Sequence, residues 1–144
     1  MINFFQQYKY LIVPMLVWFG IQSFKVMHDL ATTKKFNFKR IMGAGGMPSS
    51  HSAVVTTIST MIGKNYGTDS AIFALSIIFA FVVMYDAAGV RRAAGKQAKL
   101  LNKIIETPGL TGVQVTEKLV EVLGHTPIQV IVGALIGVIV GLIV

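Results

Sequence analysis

The sequence predicts an all-α fold: a polytopic membrane helical bundle of about four transmembrane helices, with one or two short amphipathic helices on the cytoplasmic side. Three observations predict it. Of the 144 residues, 53% are hydrophobic and 13% charged, far too apolar for a soluble domain of this size to hide in one core. A spanning helix takes roughly 20 residues, so about four spans with short connections use nearly the whole chain. Residues 1–144 therefore read as one membrane-embedded domain. The basic residues fall in the connections between apolar runs rather than on a separate soluble face. The net charge of +7 thus reads as a topology signal and a source of anion ligands, with no nucleic-acid partner expected.

The first apolar stretch runs from about Tyr10 to Met27, with Pro14 near its start and Trp18 within it. The segment MINFFQQYKY ahead of it lacks the basic start and small-residue cleavage site of a secretory signal, so the stretch is expected to stay in the mature protein. Near its far end Gln22, Lys25 and Asp29 share one helical face, which lipid rejects and a bundle interior can use. A connection carrying Lys34, Lys35, Lys39 and Arg40 leads to Gly43-Ala44-Gly45-Gly46 and Met47-Pro48-Ser49-Ser50-His51. The second helix is expected from near Ser50 to near Gly63. A turn at Asn65 to Asp69 precedes a third run, Ala71 to Tyr85, ending at Asp86. Asp86 suits the cap of a new helix or the partner of an arginine. From Ala87 to Ile105 the residues Arg92, Lys96, Lys99 and Lys103 recur at helical spacing, the pattern of a basic, surface-lying amphipathic helix. Thr107-Pro108-Gly109 then leads to a short helix expected near Val113 to Leu123. Gly124-His125-Thr126-Pro127 opens the last run to Val144, with Pro127 in a first helical turn where its missing N–H costs nothing.

The first-to-second and third-to-fourth connections hold Lys34, Lys35, Lys39, Arg40, Arg91, Arg92, Lys96, Lys99, Lys103 and Lys118. The opposite side holds Lys9 and Lys64. By the positive-inside rule both basic connections are cytoplasmic in a multi-pass cell-membrane protein, and every polar motif gathers on that face.

A glycine-rich loop entering a helix presents free N–H groups and the positive end of a helix dipole, which together favour phosphate. Gly43 to Ser50 has this form, although Pro-Ser-Ser is equally ordinary capping chemistry. His51 and His125 both open membrane helices on the same face, and both titrate near neutrality. The pair suggests a nucleophile and a proton donor. The absence of cysteine excludes disulfides and thiolate metal sites.

Pro48-Ser49-Ser50-His51 resembles the Pro-Ser-x-His motif of the type-2 phosphatidic acid phosphatase and vanadium haloperoxidase superfamily, and Gly124-His125-Thr126-Pro127 resembles its later histidine motif. Together with Tyr85-Asp86-Ala87-Ala88-Gly89-Val90-Arg91-Arg92, the chain resembles the divergent membrane branch of that superfamily over nearly its full length. The resemblance implies a metal-independent and cofactor-independent phosphatase acting on a phosphorylated lipid. His125 would be the nucleophile and His51 the acid. Arg40, Gly45, Gly46, Ser49, Ser50, Arg91 and Arg92 would bind phosphate, with Asp86 and Gln129 in support. The chain departs from the superfamily in several places. Five residues, not six, separate Lys34 from Arg40, Ile41 replaces a proline, Leu119 replaces an arginine, and Gln129 replaces a carboxylate. Two other readings stay open: a non-catalytic lipid-phosphate binder or transporter that kept the anion pocket, and a vanadate-using haloperoxidase. Gly133, Gly137 and Gly141, four apart, suggest a homodimer through the last helix.

Overall fold

The computed structural model describes residues 3–34, 46–107, 118–121 and 123–144. All secondary structure among them is helical: α1 (Phe4–Thr33), α2 (Ser50–Tyr66), α3 (Ala71–Ala88), α4 (Val90–Glu106) and α5 (Pro127–Ile143). Two continuous helical stretches, Phe4–Thr33 and Ala71–Glu106, are long and apolar enough to cross a membrane, and α5 is a shorter apolar helix.

The distribution of side chains is the reverse of a soluble core. Ser52 and Thr57 are fully buried, whereas Ile78 and Phe81 are 62% and 64% exposed. Such an apolar exterior requires lipid around it. α2 is the centre of the bundle and packs against α1, α3 and α5. Its polar residues are affordable there because each satisfies itself locally. Thr56 and Thr57 donate to the carbonyls of Ser52 and Ala53, at 2.8 and 2.7 Å, and Ser59 donates to that of Val55 at 2.8 Å. Thr56 and Ser59 also reach across to the Ala134 and Ser76 carbonyls, at 3.0 and 3.1 Å, tying α2 to α5 and α3.

α5 lies closest to α2, and its glycines are the reason. A Cβ at Gly133 would collide with the Ser49 carbonyl, and one at Gly137 with Thr56 Oγ1 and the Ala53 carbonyl. The small-residue stripe expected to make a dimer is therefore occupied inside the chain, by α2. Lys9 donates to Asn65 and Lys64 to the Leu142 carbonyl, each at 2.9 Å, so α1 runs antiparallel to α2 and α5 runs parallel to it. The C-terminal halves of α1 and α3 consequently meet the N-termini of α2 and α5 at one end of the bundle.

Three boundaries differ from expectation. α2 continues past Gly63 to Tyr66. Asp86 caps nothing: α3 runs through it to Ala88, because the Gly89 N–H still reaches the Tyr85 carbonyl at 2.8 Å and only a kink at Gly89 separates α3 from α4. Residues 118–121 and 123 are not helical. Their polar groups are paired with α4 instead, the Asn102 amide accepting from Leu119 N at 3.0 Å and donating to the Leu119 carbonyl at 2.8 Å. Residues 113–117 of that expected short helix lie outside the described residues.

Candidate functional site

Three chain segments converge at this end of the bundle. The first is the start of α2, where Ser49 caps the helix: its Oγ accepts from Ser52 N at 3.3 Å and from Ser52 Oγ at 2.9 Å. Ser49 N in turn donates to the Gln129 carbonyl at 3.1 Å, which pins this loop to the first turn of α5. The second is the α3–α4 junction. The third is the approach to α5, where His125 N donates to the Ala87 carbonyl at 2.9 Å. Gly124 makes that contact possible. Its φ of +78° is left-handed, and a Cβ there would lie 2.5 Å from Arg92 N and 2.9 Å from the Ala87 carbonyl.

His51, Val83, Asp86, Ala87, Arg91, Gly124 and His125 line one small cavity of about 20 Å³. Two histidines 74 positions apart in the sequence thus share a wall. Arg91 Nε donates to Asp86 Oδ2 at 2.6 Å, so the carboxylate fixes the guanidinium beside the cavity. Asp86 therefore takes the arginine-partner role of its two expected roles, and Arg91 rather than Arg92 is the arginine of the cavity. Arg92 is exposed. Ser49 is spent on capping, and Ser50 is buried next to it. Arg40 and Gly45 lie outside the described residues. Gly46 lines a neighbouring, larger cavity of about 420 Å³ with Phe24, Lys25, His28 and Met47.

His125 is only 3% exposed. Its Nδ1 lies 3.4 Å from Gln129 Oε1, an oxygen that also accepts from Thr126 N at 2.9 Å. Thr126 returns the favour by accepting from Gln129 N at 3.4 Å, completing a capping box at the start of α5. A glutamine in this position holds the imidazole ring and the helix start together. Burial lowers the His125 pKa below the ordinary histidine value, and the nearby charge of Lys25 and then His51 lower it further. Hydrogen bonds with Gln129 and the Gly46 backbone act in the opposite sense without reversing the direction. Near neutrality His125 is therefore an uncharged base.

Lys25 is the residue whose place the sequence did not resolve. Its position near the end of α1 is equally that of a lysine snorkelling to the interface. In the structure it is 6% exposed, on the inward face with Gln22 and Ile21, and its charge is felt at His125. The signal was available in the spacing of Gln22 and Lys25, which no lipid-facing helix favours.

The profile of the family described as Divergent PAP2 matches residues 6–140. The chain is similar to the uncharacterized membrane protein YuiD of Bacillus subtilis (strain 168), 40% identical over 133 residues, covering 85% of this chain and 84% of that one. No solved structure matches the chain.

Proposed function

The chain belongs to the divergent PAP2 family, and we propose that it is a membrane phosphatase that removes phosphate from a phosphorylated lipid through a phosphohistidine intermediate. The observation that carries this reading is the shared cavity of His51, His125 and the Asp86-held Arg91. A buried, uncharged imidazole beside a fixed guanidinium and a second, exposed imidazole supplies a nucleophile, an anion ligand and an acid in one place.

In the proposed reaction the His125 ring nitrogen not held by Gln129 attacks phosphorus. The N–P bond forms as the bond from phosphorus to the lipid oxygen breaks, and His51 gives its proton to that oxygen. Water then attacks phosphorus, the N–P bond breaks, and His51 takes the proton from water. Arg91 balances charge on the non-bridging oxygens, together with Lys25 and the N-terminal end of α2 around Ser50. Arg40, Gly45 and Gly46, on the chain leading into α2, complete the proposed phosphate ligands. No step calls for a metal or a cofactor.

The proposed topology has α1, α2, α3 and α5 crossing the membrane with the histidine end cytoplasmic. The basic residues around that end, from Lys34 and Arg91 to Lys103, against Lys9 and Lys64 at the other, support this orientation. Purified protein should release inorganic phosphate from at least one class among phosphatidate, isoprenoid phosphates and isoprenoid diphosphates, and His125→Ala should release none. A specific observation favours one rival: Gln129 is neutral where the superfamily has a carboxylate, which suits a binder without turnover. Saturable lipid-phosphate binding with no phosphate release by the wild type would select that rival.

A further inference from the structure

Among the described residues, apolar grooves run up the sides of the bundle, and three of them differ in how they meet the site. The groove between α3 and α5, lined by Phe81, Met84, Tyr85, Ile131 and Leu135, shares no residue with the small histidine cavity. The groove between α1 and α5, past Ile21, Phe24, Met47 and Ile136, meets the larger Lys25 cavity but neither histidine. The third groove has a volume of about 350 Å³ and lies between α1, α2 and α3. Its lining is Met15, Trp18, Val54, Val55 and Phe79, together with His51 and Val83, and those last two also line the histidine cavity.

We propose that the groove between α1, α2 and α3 holds the apolar tail of an amphiphilic phosphate monoester whose headgroup sits against His51, His125 and Arg91. This rests on the phosphatase reading only for where the headgroup lies. His51 and Val83 line both a cavity that holds a fixed cation and a groove whose remaining lining is wholly apolar. A ligand occupying both must be charged at one end and hydrocarbon next to it. From His51 to Val55 the groove descends about 6 Å along α2, at about 1.5 Å per residue, so it grips the part of the tail adjoining the phosphate. The departing oxygen of such a ligand lies at the junction, beside His51, where a proton donor is needed. Because the groove opens sideways between α1 and α3, the tail enters from the bilayer and never crosses water.

Trp18 makes the idea directly measurable, since it is the sole tryptophan of the chain and lines this groove. Purified full-length protein in detergent would be titrated with a decylphosphonate brominated near the headgroup, which cannot be hydrolysed and quenches tryptophan on contact. Saturable loss of Trp18 emission, competed by unbrominated decylphosphonate and by inorganic phosphate, is expected. Brominated decanol should give only weak, non-saturable quenching. Val54→Phe, which fills the groove, should lose the saturable component, while Leu135→Phe in the α3–α5 groove should keep it. Equal quenching by the brominated alcohol would overturn the proposal, as would loss in Leu135→Phe with retention in Val54→Phe. If Val54→Phe does not fold, the wild-type titration alone decides. Saturable phosphonate binding by calorimetry without Trp18 quenching would remove the groove and leave the phosphate site standing. Saturable quenching without any phosphate release from lipid phosphates would remove the phosphatase reading and keep the groove.

Discussion

Gln129→Glu tests the catalytic reading most directly, because it changes one charge and almost no shape. The glutamine oxygen already faces His125 Nδ1 at 3.4 Å and accepts from Thr126 N at 2.9 Å, so a carboxylate oxygen inherits both partners and the capping box survives. What the substitution adds is attraction to an imidazole that becomes positive as it bonds to phosphorus. At 3.4 Å, with an effective dielectric constant of about 20, two unit charges attract by about 5 kcal/mol. The imidazole in the transition state carries part of a charge, and the new carboxylate also loses solvation, so only a fraction of this is realised. Somewhat more than a quarter of it, about 1.4 kcal/mol, is a tenfold gain. In the serine-hydrolase triad the reverse change, neutralising the carboxylate behind the histidine, costs about four orders of magnitude. Phosphate release by the variant should therefore rise at least tenfold, measured in detergent at saturating lipid phosphate. The same charge raises the His125 pKa, so the acid limb of kcat/KM should move to higher pH. A protein that only binds would show weaker phosphate affinity instead. No change in release, in affinity and in the acid limb would refute the contact, and with it the assignment of His125 as nucleophile.

In the wild type, burial and Lys25 hold the His125 pKa below the ordinary histidine value of about 6.5, and attack requires the uncharged ring. Activity should therefore persist as pH falls through the usual histidine range and decline only below it, which a kcat/KM profile against pH checks. His125→Ala should abolish release from every substrate, whereas His51→Ala should keep measurable activity on an aryl phosphate whose leaving group needs no proton. Equal, complete loss for both would undo the division of roles. Gly133→Ala sets a Cβ against the Ser49 carbonyl, so it should cost about 1–3 kcal/mol of stability by thermal unfolding and reduce activity by shifting the α2 start. Single cysteines replacing Lys99 and Asp69 should label from opposite sides of the membrane, Lys99→Cys from the cytoplasm; labelling of both from one side would refute the topology.

Much of this fold is legible in the sequence because the membrane enforces a simple rule. Apolar runs must be helices, and the places where they stop are marked by Ser49, Ser70, Gly67 and Thr126, residues whose capping or left-handed geometry the structure uses. The contact of Gln129 with His125 is likewise readable, since one helical turn separates the two residues. Asp86 was not readable as to role, because an aspartate before a run of small residues has the same local signature whether it caps a helix or holds an arginine. Which happens depends on the next helical turn continuing, a property of Gly89 N reaching Tyr85 O. Residues 118–121 and 123, expected in a short helix, are non-helical for a related reason. They have helical propensity, but Asn102, buried on α4, offers the Leu119 backbone a better partner.

The glycines of α5 illustrate why a motif can be read correctly in chemistry and wrongly in partner. Four-residue spacing of glycine states only that some backbone comes close. Two copies of one helix satisfy it, and so does a serine- and threonine-rich neighbour in the same chain. The choice is settled by what the approach accomplishes. With Gly133 against Ser49, the first turn of α5 is pressed onto the start of α2, and the Gln129 carbonyl takes the Ser49 N–H at 3.1 Å. The residues at the mouths of those two helices, His51 and His125, are thereby carried to one cavity. Gly124 repeats the device nine residues earlier, letting the chain touch the α3–α4 junction and so bringing Arg91 and Asp86 to the same place. The close packing that a lipid environment demands of small residues and the convergence of two imidazoles and a guanidinium are one arrangement. A bulkier residue at Gly124 or Gly133 would loosen the bundle and dismantle the site together.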